Sequence, residues 1–204
     1  MIVVIDYQMG NVGSIVNMVK KFTREVTVSS NPDVIENADK LILPGVGTFD
    51  RGILNLQRLN LINLLNHKVL VTKTPILGIC LGMQIFTLGS EEGTLQGLGW
   101  IDAETVKFKF DNHNSSLKIP HMGWNYIQKR SDSPLSKNLN SQSRFYFLHS
   151  YYLRCKDEND IILTTQYGIE FTSAIQKNNI YGVQFHPEKS HRFGLQLMRN
   201  FVEI

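Results

Sequence analysis

Pro75-Ile76-Leu77-Gly78-Ile79-Cys80-Leu81-Gly82-Met83-Gln84 is the stretch that decides how the chain folds. Its core, Gly78-x-Cys80-x-Gly82, has the form of a nucleophile elbow with cysteine as the nucleophile: a buried strand turns sharply into a helix and holds the reactive side chain at the bend. Glycine suits both flanking positions, because side chains two residues before and after the nucleophile would collide in so tight a turn. The pattern predicts an exposed Cys80 at a helix N-terminus, where unpaired amides favour a thiolate and the Leu81 amide can donate to a tetrahedral oxyanion. The plain alternative is a small buried hydrophobe in a core strand, the usual state of a free cysteine. This stretch alone leaves both open.

On the N-terminal side, Met1 to Ile5 reads as a buried strand, and the polar loop Asp6-Tyr7-Gln8-Met9-Gly10-Asn11 leads into a helix marked by Ile15, Met18, Val19 and Phe22. Open α/β sheets bind ligands at the carboxyl ends of their strands, so Asp6 and Asn11 are candidates to touch a substrate or partner; otherwise they shape the loop and cap the helix. Glu25 to Ser29 is a short β segment, and Lys40 to Leu43 is another buried strand. It ends in Pro44-Gly45-Val46-Gly47, either a plain turn or one that aims amides at a ligand as the second half of an oxyanion hole. Phe49, Ile53, Leu56, Leu59, Ile62 and Leu65 predict one amphipathic helix over Thr48 to Leu65, with His67 solvated just beyond it. Leu81 to Leu88 is the helix leaving the elbow, and it puts Gln84 one turn from Cys80, where a polar side chain can hold a substrate.

After Ser90-Glu91-Glu92-Gly93 the period changes. Thr105 to Phe110 and Trp124 to Gln128 read as two strands of an antiparallel ribbon, joined by the polar Asp111 to Ser116 loop with an exposed His113. Pro120-His121-Met122-Gly123-Trp124-Asn125 carries unusually large side chains for a loop, suiting either an interface or a local core. Phe145 to Tyr152, Ile161 to Thr165 and Thr172 to Gln176 are further strands, and Cys155 reads as inert. The alternation of strands and helices predicts an α/β fold.

The 204 residues suffice for one large domain, with no composition shift to divide them, so a single domain over 1–204 is expected. A formal net charge of +3 with no run of like charges gives no sign of a nucleic-acid partner. There is no Gly-x-x-x-x-Gly-Lys-[Ser/Thr] phosphate loop, and neither cysteine lies in a metal-ligand spacing, so no metal and no cofactor is expected. Two cysteines make no disulfide framework, and the apolar N-terminal run is too short for a signal peptide or membrane span. A cytoplasmic location is expected.

The second half of the chemistry lies near the far end. The strand Ile180 to Phe185 delivers His186, with Pro187 restricting it to extended geometry and Glu188 two residues on. Residues i and i+2 of an extended segment project to the same side, so the carboxylate can reach the imidazole and fix its tautomer. Cys80, His186 and Glu188 then supply nucleophile, base and orienting acid.

The elbow and His186-Pro187-Glu188 resemble the signatures of the class I, triad-type glutamine amidotransferases. The resemblance covers essentially the whole chain. It implies an open, mostly parallel central sheet flanked by helices, and release of ammonia from glutamine through a glutamyl thioester on Cys80. Asp6-Tyr7 with Gly10-Asn11, Pro44-Gly45-Val46-Gly47-x-Phe49, Ser90-Glu91-Glu92-Gly93, Gly97-Leu98-Gly99, Pro120 to Asn125 and Phe147-x-His149-Ser150-Tyr151 are similar to motifs of the glutaminase subunits of imidazole glycerol phosphate synthases. Gln8 stands where those subunits usually carry glycine, and Trp100-Ile101-Asp102-Ala103-Glu104 where a Pro-Gly turn is more usual. The resemblance implies amides of Leu81, Val46 and Gly47 as the oxyanion hole and Gln84, Gly47, Ser150 and Tyr151 as glutamine-binding positions. It also implies a cyclase partner of (βα)8-barrel type, docked at loops that include Tyr7, Asn11, His121, Met122 and Trp124. Rival readings are a paralogue feeding a surface-sugar amination pathway, a cysteine peptidase or γ-glutamyl hydrolase of related fold, and a scaffold with a relic site.

Overall fold

The computed structural model describes residues 1–110 and 117–204, so the expected Asp111 to Ser116 loop and His113 lie outside the described residues. The chain begins with β1 (Ile2–Ile5), α1 (Val12–Val19), β2 (Val26–Ser29), α2 (Pro32–Glu36) and β3 (Lys40–Gly45). Then come α3 (Phe49–Arg58), α4 (Leu61–Asn66), a π-helical turn (His67–Val71), β4 (Ile76–Cys80) and, with no linker, α5 (Leu81–Ile85). The second half holds β5 (Gly89–Ser90), β6 (Ala103–Lys107), β7 (His121–Tyr126), β8 (Gln128–Lys129), β9 (Arg144–His149) and β10 (Tyr151–Cys155). It closes with β11 (Ile161–Tyr167), β12 (Ile169–Lys177), β13 (Ile180–Val183) and α6 (His191–Glu203).

The main sheet runs β2-β1-β3-β4-β13-β12-β10-β6-β5, with β11 and β8 added beyond β12. β2 through β13 in that order are parallel, and the strands from β13 to β6 are antiparallel. The parallel strands are continuous apolar runs because both faces are covered. Alternation then sorts their side chains: Ile2, Val4, Ile42 and Leu77 pack in the layer with α1 and α6 residues, while Val3, Ile5, Leu41, Leu43 and Ile76 join those of α3, α4 and α5. The carboxyl ends of β1, β3, β4 and β13 consequently share one edge, carrying the Asp6–Asn11 loop, Gly45–Gly47, Cys80 and the approach to His186.

Four expectations change. The single helix over Thr48 to Leu65 breaks because Asn60 takes a left-handed conformation, φ +56°, between α3 and α4. The helix after Cys80 ends at Ile85. The Phe145 to Tyr152 segment divides at Ser150, its first part in a separate two-stranded sheet and its second in the main sheet. An antiparallel ribbon exists, but it pairs β7 with β9, His121 opposite His149, whereas β6 pairs with β10 and β5. Gln8 adopts φ +64°, the conformation that glycine would take without a steric penalty.

Candidate active site

The elbow forms as expected. Gly45 of β3 pairs with Cys80 of β4, and Cys80 itself is forced to φ +54° as the strand turns directly into α5. A side chain on Gly78 would come within 2.7 Å of the Met83 nitrogen, and one on Gly82 would overlap the Leu43 carbonyl. Both glycines are therefore conditions of the bend. The elbow pattern predicts an exposed Cys80, and the structure corrects this: Cys80 is 7% accessible, because the β9–β10 corner closes over it and sets the Leu148 carbonyl 4.0 Å from Sγ.

His186 follows β13 and is pinned from three sides. Its amide donates to the Tyr146 carbonyl at 2.9 Å, its carbonyl accepts from Ser190 Oγ at 2.6 Å, and its Nδ1 lies 2.8 Å from Glu188 Oε1. The ring is buried and the carboxylate nearly so, at 11% exposure, and Nε2 has no hydrogen-bond partner among the described residues. Burial works against charge on this imidazole, but the neighbouring Cys80 and Glu188 side chains outweigh it and raise His186 to about 10. The ring thus carries its proton at neutral pH, oriented by the carboxylate on one side and neighbouring the sulfur.

A cavity of about 240 Å³ opens above Cys80, and Val46, Gly47, Leu81, Gln84, Ser150 and Tyr151 all line it. None of the amides of Leu81, Val46 and Gly47 donates to another described group. The Gln84 amide nitrogen is already engaged, donating to the Tyr151 carbonyl at 3.2 Å and to Gln184 Oε1 at 3.1 Å, which fixes this side chain in the cavity lining. Reading by motif did not single out Glu92 as a residue of the site. Its carboxylate also lines the cavity, held by the Phe49 amide at 2.8 Å. The Ser90 to Gly93 motif was the available signal, but nothing local says that its loop folds back over the elbow.

The five expected interface residues divide. Asn11 is exposed and accepts from the Ser14 amide as the cap of α1, while Met122 and Trp124 are 61% and 42% accessible. Tyr7 and His121 are corrected: both are buried and offer no surface to a partner. Tyr7 lies beneath Gly45, and His121 turns inward to meet His149 at 3.0 Å because alternate residues of β7 face opposite sides.

Residues 3–204 match the family described as glutamine amidotransferase class-I. The chain is similar to the imidazole glycerol phosphate synthase subunit HisH 2 of Methanococcus maripaludis, 58% identical across 100% of this chain and 99% of that one. It is 48% identical to the protein of the same name from Pseudomonas aeruginosa, across all of both chains. Among solved structures, a glutamine amidotransferase superposes with a TM-score of 0.75 at 16% identity, covering 98% of this chain and 97% of that one, which speaks for the fold. With the match spanning nearly every residue, the chain belongs to the class-I glutamine amidotransferase family.

Proposed function

We propose that this chain is the glutaminase subunit of an imidazole glycerol phosphate synthase, with residues 1–204 acting as one domain in the cytoplasm. The observation that carries the chemistry is the His186–Glu188 pair, 2.8 Å apart, whose imidazole neighbours Cys80, a residue of the cavity lining. Glutamine enters with its α-ammonium towards Glu92 and is held by Gly47, Ser150 and Tyr151. The Cys80 thiolate attacks the side-chain amide carbon, and amides of Leu81, Val46 and Gly47 receive the oxyanion. His186 gives its proton to the departing nitrogen, and ammonia leaves. The now neutral imidazole takes a proton from water, whose oxygen attacks the thioester. Collapse returns the thiolate, releases glutamate and leaves His186 protonated again.

Free ammonia in neutral water is mostly ammonium, which has no lone pair for attack, so the product is best passed directly to an acceptor site. A partner of (βα)8-barrel cyclase type, seated on the side of Asn11, Met122 and Trp124, would supply one. The relatives named as synthase subunits support this pairing. The test is to co-purify the barrel protein with this chain and supply glutamine. Formation of imidazole glycerol phosphate is expected; an aminated surface sugar would move the chain to that pathway, and glutamine hydrolysis unaffected by the partner would argue against coupling.

A further inference from the structure

We propose that Gln184 is a further catalytic residue, whose side-chain N–H donates to the Cys80 sulfur and holds it in the attacking position. The inference rests on Cys80 being the nucleophile proposed above. Gln184 is fully buried at the end of β13, two residues before His186, and its Nε2 lies 3.6 Å from Cys80 Sγ. That is long for an oxygen acceptor but ordinary for the larger sulfur atom.

What makes the contact informative is that its direction is determined. The Tyr151 carbonyl receives His149 Nδ1 at 2.7 Å and Gln84 Nε2 at 3.2 Å. A carbonyl only accepts, so Gln84 must present its nitrogen there. The same nitrogen faces Gln184 Oε1 at 3.1 Å, which fixes the oxygen of Gln184 towards Gln84 and leaves its NH2 group towards sulfur. Turning the Gln184 amide over would set two donors against each other in a buried site, at the cost of an unmet hydrogen bond. The sulfur is the one acceptor that Gln184 Nε2 has among the described residues.

A donor on sulfur favours the thiolate over the thiol. It does so before the sulfur attacks glutamine and again when the thioester collapses, and it also holds the sulfur at the cavity lining. An apolar residue would be the simpler way to fill such a site, since a buried amide is costly unless both of its ends are used. Here both ends are used, one of them on the reacting atom.

The test compares Gln184→Met with Gln184→Glu in the full-length chain. Methionine removes donor and acceptor at similar size; glutamate keeps an acceptor for Gln84 but turns a carboxylate oxygen towards sulfur. The reading is alkylation of Cys80 by iodoacetamide at neutral pH without glutamine, followed by mass spectrometry with Cys155 as internal reference, together with glutamine hydrolysis. For a donor to sulfur, the alkylation rate falls on the order of 10-fold with methionine and further with glutamate; kcat falls in the same order and KM changes little. A residue that merely supports the wall through Gln84 would give the reverse order, because glutamate preserves that bond. Reversed order, or alkylation within about twofold of the parent in both variants, overturns the proposal. Retained turnover in Cys80→Ala would instead remove the nucleophile reading on which it rests.

Discussion

Glu188 touches the imidazole through one oxygen, and that contact sets how His186 behaves. Glu188→Gln keeps the size but replaces the charge, so glutamine turnover should fall by at least about 100-fold, the usual contribution of a positioned acid–base pair. The thermal midpoint should move far less; equal loss of both would make Glu188 a structural residue. A pH consequence follows from His186 being raised from 6.5 to about 10. A raised folded-state value means that the surroundings of His186, Cys80 first and Glu188 next, stabilise the fold fully below 6.5 and lose that contribution as pH rises through about 10. Urea midpoints measured from pH 6 to about 10.5 should therefore decline towards the alkaline end, and earlier in Glu188→Gln. Cys80, His186 and Glu188 were legible in the sequence because each lies in a short motif whose geometry is local. Gln184 was not, since its partners Cys80 and Gln84 are 104 and 100 residues away.

The elbow and the β7–β9 ribbon show the same contrast between secondary-structure elements. The elbow was readable because its glycines answer to close approach within one strand and helix. Gly82→Ala would drive a methyl group into the Leu43 carbonyl, and overpacking of this kind costs about 1–3 kcal/mol or more, which equilibrium unfolding would register. The ribbon was read with the wrong partner, because hydrophobic alternation marks a strand but does not say which distant strand it meets. Its true register buries His121 against His149, and burial lowers them to about 4 and about 3. Both are neutral in the fold, so unfolding takes up protons as pH drops below 6.5, and stability falls with it. Each contributes about 1.4 kcal/mol per pH unit to that slope. His121→Phe, which can stack between Phe147 and Tyr167 as the imidazole does, should flatten the slope by that amount between about pH 6 and pH 5. An unchanged slope would show that His121 does not titrate as described.

For the molecule as a whole, the sheet's carboxyl edge gathers segments from both ends of the chain in a fixed order, with β13 paired to β4. That order was visible in outline, as an α/β pattern with a nucleophile early and a base late. The exposed Met122 and Trp124 belong to the same ribbon whose buried face carries the two histidines, placing an outward apolar surface close to the cavity wall. Trp124→Ala should weaken the barrel partner by about 10-fold or more if it anchors the interface, while basal glutamine hydrolysis stays within about twofold. Unchanged affinity in a titration of the two proteins would move the interface elsewhere. The most direct measurement is glutamate released from glutamine by the parent chain and by Cys80→Ala, each saturated with the partner and matched for folding by circular dichroism. Loss of turnover in a folded Cys80→Ala is the predicted result, and turnover retained at the parent's rate would contradict thioester chemistry at this site.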